Sequence, residues 1–418
     1  MKDITALLIS YSNQAALHKA VNSLEAISPR LESTIVLRKP NVAFHKGLNQ
    51  IKVLESNDLG QTLNRIIPTI SSSYVLFLQE TDYLSPTINM DALQLHHPKT
   101  ILGSFYYNRD LKIQRPLLVS KEFLNKHRFL SSHQLPFEEA LFPSWLSTIE
   151  PSLTSFKENL VRQSRKNSSS HIMEKQKIIQ KYQLNKVEVD HPSLSVLITN
   201  YNMGEYVETA VVSCLLQSEQ VEQLLIIDDG STDSSYTQLQ QWEEGTRIRV
   251  FHKKNEGKAK ALNDLLPYVT SDFILELDAD DWLDPDAVSA IKKRLVGLPK
   301  DVSVLYGNFR KWKQSEGDVL YKRVMKGHAI KGRADLLSYR FPLGPRIYRT
   351  SILQQQGGFP VIEFEKGRLY EDVSVLNRLI KTSRFSYQDF TVYNIREHTE
   401  SITKSHSSKW NDFLKTLD

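Results

Sequence analysis

Residues 194–202 read LSVLITNYN and residues 223–233 read QLLIIDDGSTD, two β-rich runs that each break into polar residues at the C-terminal end. Between them, Glu205 to Gln217 carries apolar residues at helical spacing, so the pair reads as strand, helix, strand. Outward from there the cycle continues. Tyr236 to Glu244 has a helical pattern, Ile248 to Phe251 is a third strand, residues 258–267 a third helix and Asp272 to Leu277 a fourth strand. Such alternation is what a parallel sheet requires, because each parallel neighbour is reached by a crossover that covers a face. Residues 191–418, beginning at His191 and Pro192, are therefore expected to form an α/β domain.

The N-terminal half repeats the pattern. LNRIIP at 63–68 lies over LNDLLP at 262–267, and the same ungapped offset of 199 pairs Tyr74 with Phe273, Tyr83 with Trp282, Leu84 with Leu283 and Pro86 with Pro285. A shift of 189 aligns residues 8–10 with 197–199 and Asn13 with Asn202. The expected architecture is two Rossmann-like α/β domains in tandem, mostly parallel sheets flanked by helices, with residues 1–155 the diverged copy. Residues 156–190 read as a linker with one helix, from the polar run SRKNSSS at 164–170 and the weakly periodic IMEKQKIIQKY at 172–182, whose positive charge suits a solvated helix face.

Composition narrows the function. The 418 residues suffice for about two to three domains. Hydrophobic residues are 40% and charged residues 24%, ordinary globular usage. Lys and Arg number 53 against 48 Asp and Glu, too small an excess to argue for nucleic acid. Cys214 stands alone, so no internal disulfide or cysteine zinc cluster forms, and a reducing cytoplasm is the expected compartment. The opening MKDITALLISYSNQ reads as a first strand rather than a signal peptide. No window reaches the roughly 18 apolar residues of a membrane span, which leaves peripheral contact with a membrane face as the form such contact would take.

Three acidic clusters fall where the chemistry of an open α/β sheet is expected, at strand ends. Asp228 and Asp229 end the second strand, where a carboxylate can accept from a base N–H or a ribose hydroxyl. Asp278, Asp280 and Asp281 end the fourth; acids this close repel, and a hard divalent cation bridging to phosphate relieves that. Glu371 and Asp372 open the helical pattern VSVLNRLI at 373–380, where an acid can take a proton.

Residues 193 to about 402 resemble the family 2 inverting glycosyltransferases of GT-A fold. The resemblance is carried, in the family's order, by SVLITNYN (195–202), IIDDGSTD (226–233), NEGKAKALN (255–263), LDADD (277–281), Glu371-Asp372 and YNIREHTES (393–401). It implies a nucleotide-sugar donor, UDP favoured, and Mg²⁺ or Mn²⁺ as cofactor. By resemblance, Thr199 and Tyr201 line the base pocket, Asp229 binds the base and Asp278 approaches the ribose. Asp280 and His398 hold the metal, Lys258 and Arg396 meet phosphate, and Asp372 is the general base. The implied acceptor is a glycan, polyol-phosphate or lipid-linked hydroxyl of a bacterial cell-surface, spore-coat or teichoic-acid-like polymer, and a homodimer is compatible with it.

Plain structural readings stand beside these. The 228–231 segment also reads as a capped turn, LDADD as a solvated acidic loop, Glu371-Asp372 as a charge pair at a helix N-terminus, His398 and Trp282 as packing residues. A sugar-phosphate nucleotidyltransferase would need a Gly-rich N-terminal loop, and a processive synthase a Gln-x-x-Arg-Trp motif with membrane spans; neither pattern is present. A scaffold with a vestigial nucleotide-sugar pocket is the alternative from another class. The first half shows such decay: Gln79-Glu80-Thr81-Asp82 lies over Asp278-Ala279-Asp280-Asp281, and Leu37-Arg38-Lys39 stands near the place of Asp228-Asp229.

Overall fold

The protein is described by a computed structural model over residues 2–40, 42, 51–164, 169–185, 192–315, 317–339, 342–364, 370–398 and 409–417. It divides into two compact units, Met1–Gln183 and Leu184–Asp418. The strands of the first are β1 (Ile4–Ile9), β2 (Leu31–Arg38), β3 (Lys52–Glu55), β4 (Tyr74–Gln79), β5 (Asp82–Leu84), β6 (Ile101–Asn108), β7 (Leu111–Ser120), β8 (Thr154–Phe156) and β9 (Val161–Gln163). Seven form a sheet in the order β3-β2-β1-β4-β7-β6-β8, and β5 pairs with β9 beside it.

The second unit contains β10 (Leu194–Asn200), β11 (Gln223–Asp228), β12 (Ile248–His252), β13 (Phe273–Asp278), β14 (Trp282–Leu283), β15 (Val302–Ser315), β16 (Asp318–Met325), β17 (Arg346–Arg349) and β18 (Arg384–Glu397). Their order is β12-β11-β10-β13-β17-β15-β18-β14, with β16 on β15. In both sheets the first four strands are parallel, the fifth turns antiparallel, and the sixth and seventh run parallel to each other. The repeat is therefore one of topology as well as sequence. Helices Leu59–Ile66 and Lys258–Leu265 keep the 199-residue offset at both ends, and so do β4 and β13.

The near-continuous apolar run of β10 follows from burial on both faces. Val196 and Ile198 pack with Val207, Ala210, Val211 and Cys214 of helix Val207–Leu215. Leu197 faces the other way, with Ala261, Leu262 and Leu265 of helix Lys258–Leu265. The expected strands hold to within a residue. The expected helix at 236–244 is instead Ser235–Gln240. There Glu243 accepts the backbone N–H of Gly245 at 2.9 Å and of Val250 at 2.6 Å, which turns the chain back into β12.

The expected linker is also placed differently, because residues through Gln183 belong to the first unit. Helix Ser170–Lys181 buries Ile178 and Ile179 together with Lys175, whose ammonium lies 3.2 Å from Glu139. Gln176 bonds the Tyr106 hydroxyl at 3.1 Å. Its buried face is thus partly polar, which is why its periodicity looked weak and its charge solvated. Residues 165–168 and 186–191 of that stretch lie outside the described residues. No helix among the described residues is long and apolar enough to cross a membrane.

Candidate active site

The parallel strands of the second unit end together, and their last residues lie side by side. Thr199 on β10 is in register with Ile227 on β11 and with Asp278 on β13. The chain runs from β10 outward through β11 to β12 and then returns to β13 on the other side of β10, so the strand order reverses between β10 and β13, and the binding crevice of such a sheet falls where Thr199 meets Asp278. Tyr201 follows on the rim with 41% of its surface exposed.

The two acids after β11 do different work. Asp228 is fully buried and spent on the fold: it accepts from Asn200 at 2.7 Å, from the Ser231 amide and hydroxyl, and faces His252 Nδ1 at 2.9 Å. The adjacent Asp229 accepts the backbone N–H groups of Glu256 at 3.0 Å and Gly257 at 2.8 Å, so the 255–257 loop is moored to the end of β11. Each of its oxygens keeps a second lone pair.

Lys258, the first residue of its helix, places its ammonium among three carboxylates, 2.5 Å from Asp278, 2.8 Å from Glu276 and 3.5 Å from Glu371. Arg346 on β17 forms a two-pronged pair with Glu276 at 2.9 Å in each arm, and lies 3.6 Å from both Asp278 and Asp372. Tyr348 donates to Glu276 at 3.1 Å. Burial would raise the Glu276 carboxyl, but Arg346 and Lys258 outweigh it and hold the group well below the ordinary range. Four acids thus share two cations, leaving an excess of negative charge.

The LDADD turn resolves into separate roles. Asp280 presents Oδ2 at 3.0 Å from His398 Nε2 and keeps 23% of its side chain exposed. Asp281 is buried, accepts the Arg396 amide at 2.9 Å, and is pushed well up by burial and by Asp280 and Asp278. Arg396 was expected at phosphate, but it is 6% exposed, donates to the Asp280 carbonyl and to Gln314, and lies over Tyr206 and Trp282. It braces the turn. Trp282 is fully buried against Trp312, the packing role. Residues 399–401 of the last motif lie outside the described residues.

Glu371 and Asp372 occupy the first turn of helix Glu371–Leu379, after Tyr370 at φ +62°. Asp372 Oδ1 accepts the Val373 amide at 2.8 Å, while Oδ2 looks toward Arg346. Burial lifts Glu371 to about 7, Lys258 opposing and Asp372 and Glu276 adding. Thr199, Asp278, Lys258, Glu371 and Asp372 are therefore one constellation, with Asp280 and His398 next to it through the 278–281 turn. Sequence reading missed Glu276, Arg346 and Tyr348. A signal existed for Glu276, a charged residue inside the apolar strand FILELD, which demands a buried partner.

Residues 195–355 match the model of Glycosyl transferase family 2. Among curated proteins, Glycosyltransferase GlyA of Streptococcus pneumoniae is 24% identical over 52% of this chain and 32% of its own length. Glycosyltransferase GlyG of the same organism is 24% identical over 51% of this chain and 73% of its own. The putative glycosyltransferase EpsH of Bacillus subtilis is 26% identical over 53% of this chain and 65% of its own. The chain thus spans from a third to three quarters of these relatives. Among solved structures, S. aureus TarS 1–349 in complex with UDP-GlcNAc aligns with a TM-score of 0.40 at 18% identity, over 54% of this chain and 65% of that one. Residues 195–355 of this chain carry a glycosyl transferase family 2 domain.

Proposed function

We propose that this domain transfers a single sugar from a nucleotide sugar, with UDP the favoured nucleotide, to an acceptor hydroxyl with inversion at the anomeric carbon. The observation that carries the reading is the ionic network in which Lys258 and Arg346 join Asp278 to Glu371 and Asp372. Acids suited to hold a donor and acids suited to activate an acceptor share the same two cations. Thr199, Tyr201 and Asp229 line the base side of the crevice and Asp278 the ribose side.

Asp280 and His398 fit a divalent ion such as Mg²⁺ or Mn²⁺. They lie 3.0 Å apart, and Asp280 keeps 23% of its side chain exposed, so an imidazole nitrogen and a carboxylate oxygen, both donor types such ions take, would be at hand together. Among the described residues no three His, Cys, Asp or Glu side chains are grouped as a metal cage, so donor oxygens and water would complete the shell. An ion held there would supply positive charge to offset that of the departing diphosphate. Asp372 accepts the acceptor's hydroxyl proton while that oxygen bonds to the anomeric carbon and the bond to the diphosphate breaks on the opposite face. The acceptor belongs to a glycan, polyol-phosphate or lipid-linked chain of the bacterial cell surface, and transfer takes place in the cytoplasm or at the inner membrane face.

Calorimetric titration with UDP, with and without Mn²⁺, tests this. Metal-dependent binding is expected, lost in Asp280→Ala. Asp372→Ala is expected to keep binding and lose turnover, by about a thousandfold or more. Absence of binding by any nucleotide would transfer the site to the scaffold reading, and undiminished turnover in Asp372→Ala would remove the assigned base.

A further inference from the structure

Glu276 belongs neither to the donor side nor to the acceptor side of the proposed reaction. It shares one face of β13 with Ile274 and Asp278 and is 3% exposed. Oε1 accepts from Arg346 Nη2 and Lys258 Nζ, and Oε2 from Arg346 Nε and the Tyr348 hydroxyl. All its accepting capacity is used on other protein groups. We propose that Glu276 is a positioning residue for sugar transfer, holding Lys258 and Arg346 so that each bridges Asp278 to one of the two acids Glu371 and Asp372. The inference rests on the function proposed above and adds the group that keeps its two halves in register.

The repeat separates this role from a structural one. By the 199-residue offset, Lys258 corresponds to Leu59 and Glu276 to Phe77. The sheet registers pair Leu275 with Ile347 and Leu76 with Leu118, so Arg346 corresponds to Leu117 and Tyr348 to Val119. All four members are apolar and buried in the first unit, where Phe77 packs edge-on against Phe129 and Phe142. The same unit has Thr81 in the place of Asp280. A fold of this topology therefore closes without the cluster. Desolvating buried ions costs several kcal/mol apiece, and apolar replacements are often neutral or stabilising, so the fold alone gives no reason to keep them. The cluster is present together with Asp278 and Asp280 in one unit and absent together with them in the other, where Gln79 and Thr81 stand.

The test uses the full chain with Mn²⁺ and three probes, UDP-N-acetylglucosamine, UDP-glucose and UDP-galactose, following UDP release to water and UDP affinity. Glu276→Gln keeps the shape and removes the charge. Release is expected to fall about a hundredfold while the Kd for UDP stays within about threefold, a split that a merely structural residue would not produce. A variant combining Lys258→Leu, Glu276→Phe, Arg346→Leu and Tyr348→Val copies the first unit; it should melt at or above the wild-type temperature and release nothing. Wild-type release by Glu276→Gln overturns the proposal, as does equal loss of affinity and release with a lowered melting temperature, or a fourfold variant that does not fold. A wild-type chain that releases UDP from none of the probes overturns the proposed function instead.

Discussion

At Glu371 the sign of a burial effect can be followed into stability. The carboxyl stands at about 7 against an ordinary 4.5, so between those values the folded chain binds more protons than the unfolded one. Stability contributed by this group is then present below about 4.5 and lost as the pH rises through 7. Glu371→Gln removes the penalty. The variant should be more stable than wild type by about 2 to 3 kcal/mol at pH 8, with the gain shrinking as the pH falls toward 4.5. Urea unfolding at pH 5 and pH 8 checks it; a difference between the two proteins that is the same at both pH values would contradict the assignment. This residue was legible in the sequence as an acid opening a helix and Lys258 as a site cation, but their meeting with Glu276 and Arg346 was not. Lys258, Glu276 and Arg346 converge from three elements up to 88 positions apart, between residues 258 and 346, and no local pattern announces such a meeting.

The turn after β11 shows how one element carries a site. Gly230 has φ +72°, and a Cβ there would lie 2.6 Å from the Asn255 amide nitrogen, in backbone that cannot swing aside. That close approach brings the 255–257 loop onto Asp229. Gly230→Ala should cost roughly 1 to 3 kcal/mol of stability from strain at positive φ and steric overlap. It should also weaken UDP binding by loosening Asp229, which thermal melting and calorimetry would read separately; a variant with unchanged melting and affinity would mean the loop position is unimportant. Elements of this half were readable because each parallel strand is a short apolar run between turn signals. The strands beyond β13 were not announced by the sequence, for a physical reason. The 14-residue strands β15 and β18 pair with register shifts near residues 302–304, 306–308 and 308–309, and each irregularity breaks the alternation by which a long strand is recognised.

Two units of one topology in one chain raise the question of how many donors a molecule takes up. Strand ends set the expectation for the first unit. Ile9 is in register with Leu37 as Ile198 is with Ile226, so counting along the strands puts Lys39 and Pro40 where Asp228 and Asp229 stand in the second. The ammonium of Lys39 lies 3.3 Å from Glu138, which also accepts the Ser10 hydroxyl at 2.9 Å, so the base-side crevice is bridged by its own side chains. Farther along, Asp82 is buried against Arg115 at 3.2 Å and Gln163 at 3.1 Å, and the Tyr11 hydroxyl donates to its carbonyl. Among the described residues there, the carboxylates of Glu138 and Asp82 are already held by Lys39, Arg115 and Gln163. Glu138 and Glu139 precede helix Leu141–Ser147 much as Glu371 and Asp372 open theirs, yet their carboxylates are engaged with Lys39 and Lys175. The expected stoichiometry is one UDP per chain in the presence of Mn²⁺, all of it lost in Asp280→Ala. Saturation at two per chain, or binding that survives the substitution with one site remaining, would show that the first unit still takes up nucleotide and that its internal ion pairs open to admit it. A single site that vanishes with Asp280 leaves the first unit as a fold kept after its chemistry was given up.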